Sequence, residues 1–123
     1  MKSIIIDLDD TLTVHNSSDS YELKLPNYKV LKKLKEYKEL GFEIIIFTAR
    51  NMLTHKKDVS KINAFTIPII VDWLNKHEVP FDGIQVGKPF CGKEGFYVDD
   101  KAIRPSEFVN NSYNDIKKLL NEK

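Results

Sequence analysis

The chain predicts an α/β fold, a parallel sheet flanked by helices in a three-layer, Rossmann-like arrangement. Three observations carry this. Short apolar runs rich in β-branched residues recur along the 123 residues. Amphipathic stretches at helical spacing separate them. Each apolar run ends in a polar signal, as parallel strands feeding connecting helices do. The length predicts a single domain over 1–123.

The elements follow in order. Ser3 to Leu8 of "SIIIDLDDTLT" reads as a buried strand. "VHNSSDSYELKLP", residues 14–26, is polar and turn-prone, with a short alternating strand at "YELKL". A helix follows, capped by Asn27 after Pro26, with Val30, Leu31, Leu34, Tyr37 and Leu40 at helical spacing and Gly41 closing it. "FEIIIFT", residues 42–48, is a second buried strand. Residues 49–65 are polar and resist assignment. The next helix starts at Thr66, with Pro68 in its first turn, where a missing N–H is harmless. Ile67, Ile70, Val71 and Leu74 form its apolar face, with Trp73 at the edge of that face. "GIQVG", residues 83–87, and "GFYVDD", residues 95–100, read as third and fourth strands. Pro105 to Phe108 forms a helical turn, and Ser112 to Leu120 a terminal helix with Ser112 and Asp115 in capping spacing.

Composition narrows the function classes. Nineteen basic against eighteen acidic residues leave a formal charge of +1, so no electrostatic footprint for nucleic acid is present. The lone Cys91 excludes an internal disulfide and points to a reducing, cytoplasmic setting. No apolar run is long enough to span a membrane, and the N-terminus does not read as a secretory leader.

Ligands of parallel α/β sheets bind beyond the carboxyl ends of the strands. Those ends carry "DLDDT", "TAR", "GKP" and "DD", so Asp7, Asp9, Thr48, Lys88, Asp99 and Asp100 converge on one crevice in this reading. Crowded carboxylates repel one another and lose hydration, which a cation offsets. All-oxygen donors without His or Cys favour a hard ion, Mg²⁺, with substrate phosphate oxygens completing its shell. Lys88 and the Thr48 hydroxyl suit the remaining phosphate oxygens. One aspartate then serves as nucleophile, and a carboxylate two residues on as general acid and base.

"DLDDT" matches the Asp-x-Asp-x-Thr motif of the haloacid dehalogenase superfamily. Thr48 in "IIIFTAR", Lys88 in "VGKP" and Asp99-Asp100 in "FYVDD" match its second, third and fourth motifs in order. The stretch from "IPIIVDWLNKHEVPFDG" to "FYVDDKAIRPSEF" further resembles a branch of phosphatases of bacterial capsular polysaccharide biosynthesis. The resemblance implies a Mg²⁺-dependent phosphomonoesterase acting on a small phosphate ester, a sugar or polyol phosphate, with Asp7 as nucleophile and Asp9 as general acid and base. It implies metal ligation by Asp7, Asp99, Asp100 and the Asp9 carbonyl, and a phosphoryl group held by Thr48 and Lys88. The interval lengths leave no room for a large cap domain, so the site is expected open, or closed by a neighbouring subunit of a homo-oligomer. Asp10 departs from the pattern, standing where many members have glycine.

Thr11, Arg50 and Asn51 are candidate substrate contacts, and Arg50 and Arg104 serve equally well in surface salt bridges. His15 lies in the polar segment after the first strand, while His55 and His77 read as ordinary surface residues. The plainer reading of Thr48 is a helix cap, of Lys88 a solvated lysine, and of each acid pair a turn. Two other functions fit less well, and a third fits as well as hydrolysis. A receiver-type signalling domain needs a phospho-accepting aspartate after a middle strand, where this chain has Thr48. A silent scaffold of the same fold is disfavoured by intact Asp7 and Asp9. A phosphotransferase with an acceptor other than water shares every motif.

Overall fold

The structure is a computed structural model that describes residues 2–52 and 58–121. His55, expected at the surface, lies outside the described residues. Strands β1 (Ser3–Ile6), β2 (Glu43–Phe47) and β3 (Gly83–Gln85) form a parallel sheet in the order β1-β2-β3. Helices α1 (Tyr28–Glu39), α2 (Val59–Phe65), α3 (Ile67–Lys76), α4 (Pro105–Asn110) and α5 (Tyr113–Asn121) complete the α/β architecture. The chain divides into two compact units, Met1–Phe90 and Cys91–Lys123.

In the first unit, register pairs Ser3 with Glu43 and Ile6 with Ile46, then Ile45 with Gly83 and Phe47 with Gln85. Ile44 and Ile46 of β2 are fully buried, with Leu8, Leu34, Ile70 and Leu74 in the same core. β1 is less buried than its sequence predicts, because it is an edge strand and Ile5 is 66% exposed.

Local chemistry sets the helix ends. Asn27 Oδ1 accepts from the Val30 N–H at 3.3 Å and caps α1. At its other end Gly41 takes φ +91°, a left-handed conformation that glycine adopts without a side-chain clash. Phe42 N donates to Tyr37 O and Gly41 N to Lys38 O, which is a Schellman closure. The two aromatic rings then meet edge to face at 5.0 Å. α3 begins at Ile67, one residue after the expected start at Thr66, which makes no side-chain capping bond, and Pro68 sits in the first turn. Trp73 is not at the edge of the α3 face. It is 3% exposed, and with Ile70 and Leu74 it makes the buried stripe.

Asp82 ties these layers together. Its N–H donates to Ile44 O at 2.7 Å, its Oδ2 accepts from Ile44 N at 2.8 Å, and Lys38 Nζ of α1 stands 2.6 Å from its Oδ1. Hydrogen bonds from Lys38 and Ile44 hold its carboxyl below the ordinary carboxylate range. A depressed carboxyl stabilises the fold above its unfolded pKa, about 3.9, and that contribution is lost as pH falls through the folded value. Asp82→Asn is therefore expected to lower Tm at neutral pH. The deficit should narrow at pH 3, which paired melting curves at the two pH values will measure.

Three further expectations need correction. "YELKL" forms no strand. Tyr21–Leu23 is a single 3₁₀ turn, and the chain pairs instead at its base, through a Thr13–Pro26 bridge. The Leu23 and Leu25 side chains are 64% and 55% exposed, so their alternation with polar residues does not mark a buried face. In the second unit, residues 95–100 form no strand, with Phe96, Tyr97 and Val98 exposed and a turn at Asp100 and Lys101. His77 is half-buried rather than a surface residue: its ring packs 4.7 Å from Trp73, and burial lowers its pKa. The second unit contains α4 and α5, with Phe108 and Ile116 buried. Glu107 Oε1 accepts the Arg104 N–H at 2.9 Å, and Ser112 Oγ accepts the Asp115 N–H at 3.2 Å.

Candidate active site

After β1 the chain winds into a tight turn in which Leu8 O accepts from the N–H groups of Leu12 and Thr13 at 2.9 and 3.1 Å. Leu8 and Leu12 are buried at 0% and 1% exposure and anchor the turn in the core. Asp7, just before the turn, and Asp9 and Thr11 within it are left partly exposed beyond the strand end. Asp10 occupies the sharpest point, at φ 62°, and its N–H donates to Thr13 Oγ1. An aspartate tolerates that conformation better than most residues, so it fits where glycine is common. Its exposed carboxylate lies 3.1 Å from His15 Nδ1.

The other two strands deliver their residues to the same edge. Thr48 N donates to Gln85 O, and Lys88 N donates to Thr48 O, so the ladder continues past both strand ends. Lys88 Nζ reaches to 3.7 Å from Asp7 Oδ1, and the Thr11 hydroxyl donates to Asp7 Oδ2 at 3.2 Å. Burial nevertheless pushes the Asp7 carboxyl above its ordinary range, against the opposing pull of Lys88 and Thr11.

Asp9 has a different setting. Arg50 grips it with both arms, Nε to Oδ2 at 3.1 Å and Nη2 to Oδ1 at 2.7 Å. Arg50 is 5% exposed, and its guanidinium lies 4.0 Å from the Tyr21 ring centroid. Thr48 Oγ1 accepts the Arg50 N–H at 2.9 Å, so this buried hydroxyl shapes the turn that aims the arginine. Asn51 points its amide at Thr66 Oγ1, 2.7 Å away, and braces the α3 cap.

The structure thus brings Asp7, Asp9, Thr11, Thr48, Arg50 and Lys88 to one sheet edge. Asp99 and Asp100 belong to the second unit and are exposed, and Asp99 Oδ1 accepts the Lys101 N–H at 2.8 Å in a turn. Among the described residues, no group of three or more His, Cys, Asp or Glu side chains stands ready to hold a metal ion. Sequence reasoning missed Lys24, whose Nζ lies 3.7 Å from Asp9 Oδ1, and Tyr21 beside it. It also missed Trp73, whose Nε1 donates to Lys24 O at 2.9 Å. Their sequence signal is weak, because they act through the conformation of a polar loop.

A crystal structure of a structural-genomics target protein from Vibrio cholerae is 55% identical, over 98% of this chain and 97% of that one, with a TM-score of 0.94. The chain belongs to the family of that Vibrio cholerae protein. The chain is also similar to part of a chain in a Pnkp1/Rnl/Hen1 complex, at 27% identity over 69% of its length and a TM-score of 0.54. A second structure, of a Pnkp1/Rnl/Hen1 RNA repair complex, shares the fold at 22% identity and a TM-score of 0.51. This member of the family spans only 27% and 30% of those two longer chains. No protein-family model and no curated protein matches it. Among its described residues no helix is long and apolar enough to cross a membrane.

Proposed function

We propose that this chain is a Mg²⁺-dependent phosphomonoesterase of the haloacid dehalogenase type, working through an aspartyl phosphate on Asp7. The observation that carries the reading is the half-buried Asp7 carboxylate beside Lys88, with Asp9 two residues on held by a buried arginine. Two carboxylates in such different surroundings suit two different roles.

The donor set fits a hard cation. The Asp7 carboxylate is desolvated, and the Asp9 side chain is committed to Arg50, which leaves the Asp9 carbonyl as its donor. Asp7 and the Asp9 carbonyl, both in the first unit, would hold Mg²⁺. The ion would screen the repulsion between an anionic nucleophile and an anionic phosphate.

In the first step an Asp7 oxygen attacks phosphorus, and the bond from phosphorus to the leaving oxygen breaks. Asp9 gives that oxygen its proton. In the second step Asp9 takes a proton from water, whose oxygen attacks phosphorus and frees Asp7 and inorganic phosphate. An Asp9 oxygen that accepts from Arg50 keeps a second lone pair for this work. Lys88 draws charge from the phosphoryl oxygens, and Thr48 sets the backbone around them.

The test is phosphate release from a panel of small phosphomonoesters, sugar and polyol phosphates foremost, with Mg²⁺ and with chelator. Release should fall at least about a hundredfold when the metal is removed and return when it is restored. A folded protein that releases no phosphate from any ester with Mg²⁺ would overturn the reading.

A further inference from the structure

The charges around the two aspartates are unequally matched. Among the described residues Asp7 faces one cation, Lys88. Among the same residues Asp9 faces two, because Arg50 takes both of its oxygens and Lys24 stands 3.7 Å from Oδ1. A structural ion pair needs one cation for each carboxylate. A second one loses hydration for a partner already engaged.

Lys24 is held rather than loosely placed. Its side chain is only 14% exposed although it rises from a polar loop. Its carbonyl is fixed by the buried Trp73, and its ammonium lies 5.4 Å from the Tyr21 ring centroid. Arg50 adds an independent sign. Its Nη1 is buried with no hydrogen-bond partner among the described residues, whereas buried donors normally find one. The neighbourhood of Asp9 therefore carries a surplus cation and an unmet donor, both within the first unit.

In the proposed reaction Asp9 gives its proton to the leaving oxygen, so its surroundings are those of the leaving group. We infer that Lys24, with Arg50, recognises a second anionic group on the leaving group. The preferred substrate class is then a phosphomonoester whose alcohol also carries a carboxylate or a second phosphate. This inference rests on the phosphomonoesterase reading and goes further by specifying the alcohol. Lys24 is the specificity-determining residue, and Trp73 positions it.

Paired esters test this with the intact chain and Mg²⁺. For the carboxylate arm, 2-phosphoglycerate is compared with glycerol 2-phosphate. For the phosphate arm, adenosine 3′,5′-bisphosphate is compared with adenosine 3′-monophosphate. In at least one pair kcat/KM should favour the doubly anionic ester tenfold or more, and the responding arm identifies the second anion. Lys24→Gln should cut that ratio at least tenfold, and Lys24→Arg should retain most of it. A general loss of folding would lower both members of a pair and leave their ratio intact. No preference in either pair, or a preference that survives Lys24→Gln, overturns the inference while leaving the phosphatase reading in place. No hydrolysis of any ester overturns both.

Discussion

Asp7→Asn is expected to lose phosphatase turnover by at least about a thousandfold, the scale on which loss of a nucleophile acts, while gaining thermal stability at neutral pH. The two effects have one cause. Burial holds the Asp7 carboxyl above its ordinary range, so the folded protein keeps its proton to higher pH than the unfolded chain does. Between the two pKa values the native state binds more protons, and stability falls as pH rises. Above both values the ionised carboxylate carries the full destabilising effect, and below the unfolded value, about 3.9, that effect is absent. Asparagine has no charge to desolvate. The Asp7→Asn protein should therefore melt higher than wild type at pH 7, by a margin that shrinks as pH falls towards that value. Melting curves from pH 3 to 8, beside phosphate-release assays, will measure both effects. A fall in Tm at pH 7 would show that the pull of Lys88 and Thr11 outweighs burial.

Arg50 carries the second large effect. Arg50→Met removes a buried cation with both arms on Asp9 and its face on Tyr21. Breaking a buried pair by deleting one partner costs about 3 kcal/mol at the low end, the end appropriate here because the Asp9 side chain is 27% exposed. In a chain of this size that lowers Tm by about 10 °C. Phosphate release should fall about a hundredfold as Asp9 loses its orientation. Arg50→Lys separates the two losses. An ammonium keeps the charge and recovers part of the stability, but it cannot bind both carboxylate oxygens in one plane. Activity should then remain low in a protein that melts near wild type, and full activity in Arg50→Lys would remove the bidentate grip from the account.

Legibility in the sequence followed the range of the interaction. Asn27 and Gly41 set the ends of α1 through groups a few residues away, and Pro68 sits in the first turn of α3, so residue type alone located both helices. The strand-end acids were legible by position, because an apolar run stopping at "DLDD" sets them at the carboxyl end of β1. Arg50 was ambiguous between substrate contact and salt bridge because its partner lies 41 residues earlier. Residues 59–65 form α2 without an apolar pattern strong enough to announce it. "YELKL" and "GFYV" misled for one reason: strand-like composition forms a strand only where a neighbouring edge pairs with it, and composition does not name the neighbour. Lys24 was invisible because the contact that places it, from Trp73 to its carbonyl, is made by backbone that any residue would present.

That same contact has a practical consequence. Trp73 is the only tryptophan in the chain, and its indole N–H is bonded to the loop that carries Lys24 to Asp9. Indole emission is sensitive to what its N–H meets. The protein thus contains its own fluorophore against that loop, and titration with inorganic phosphate reads any change at this contact without a label, a coupled enzyme or turnover.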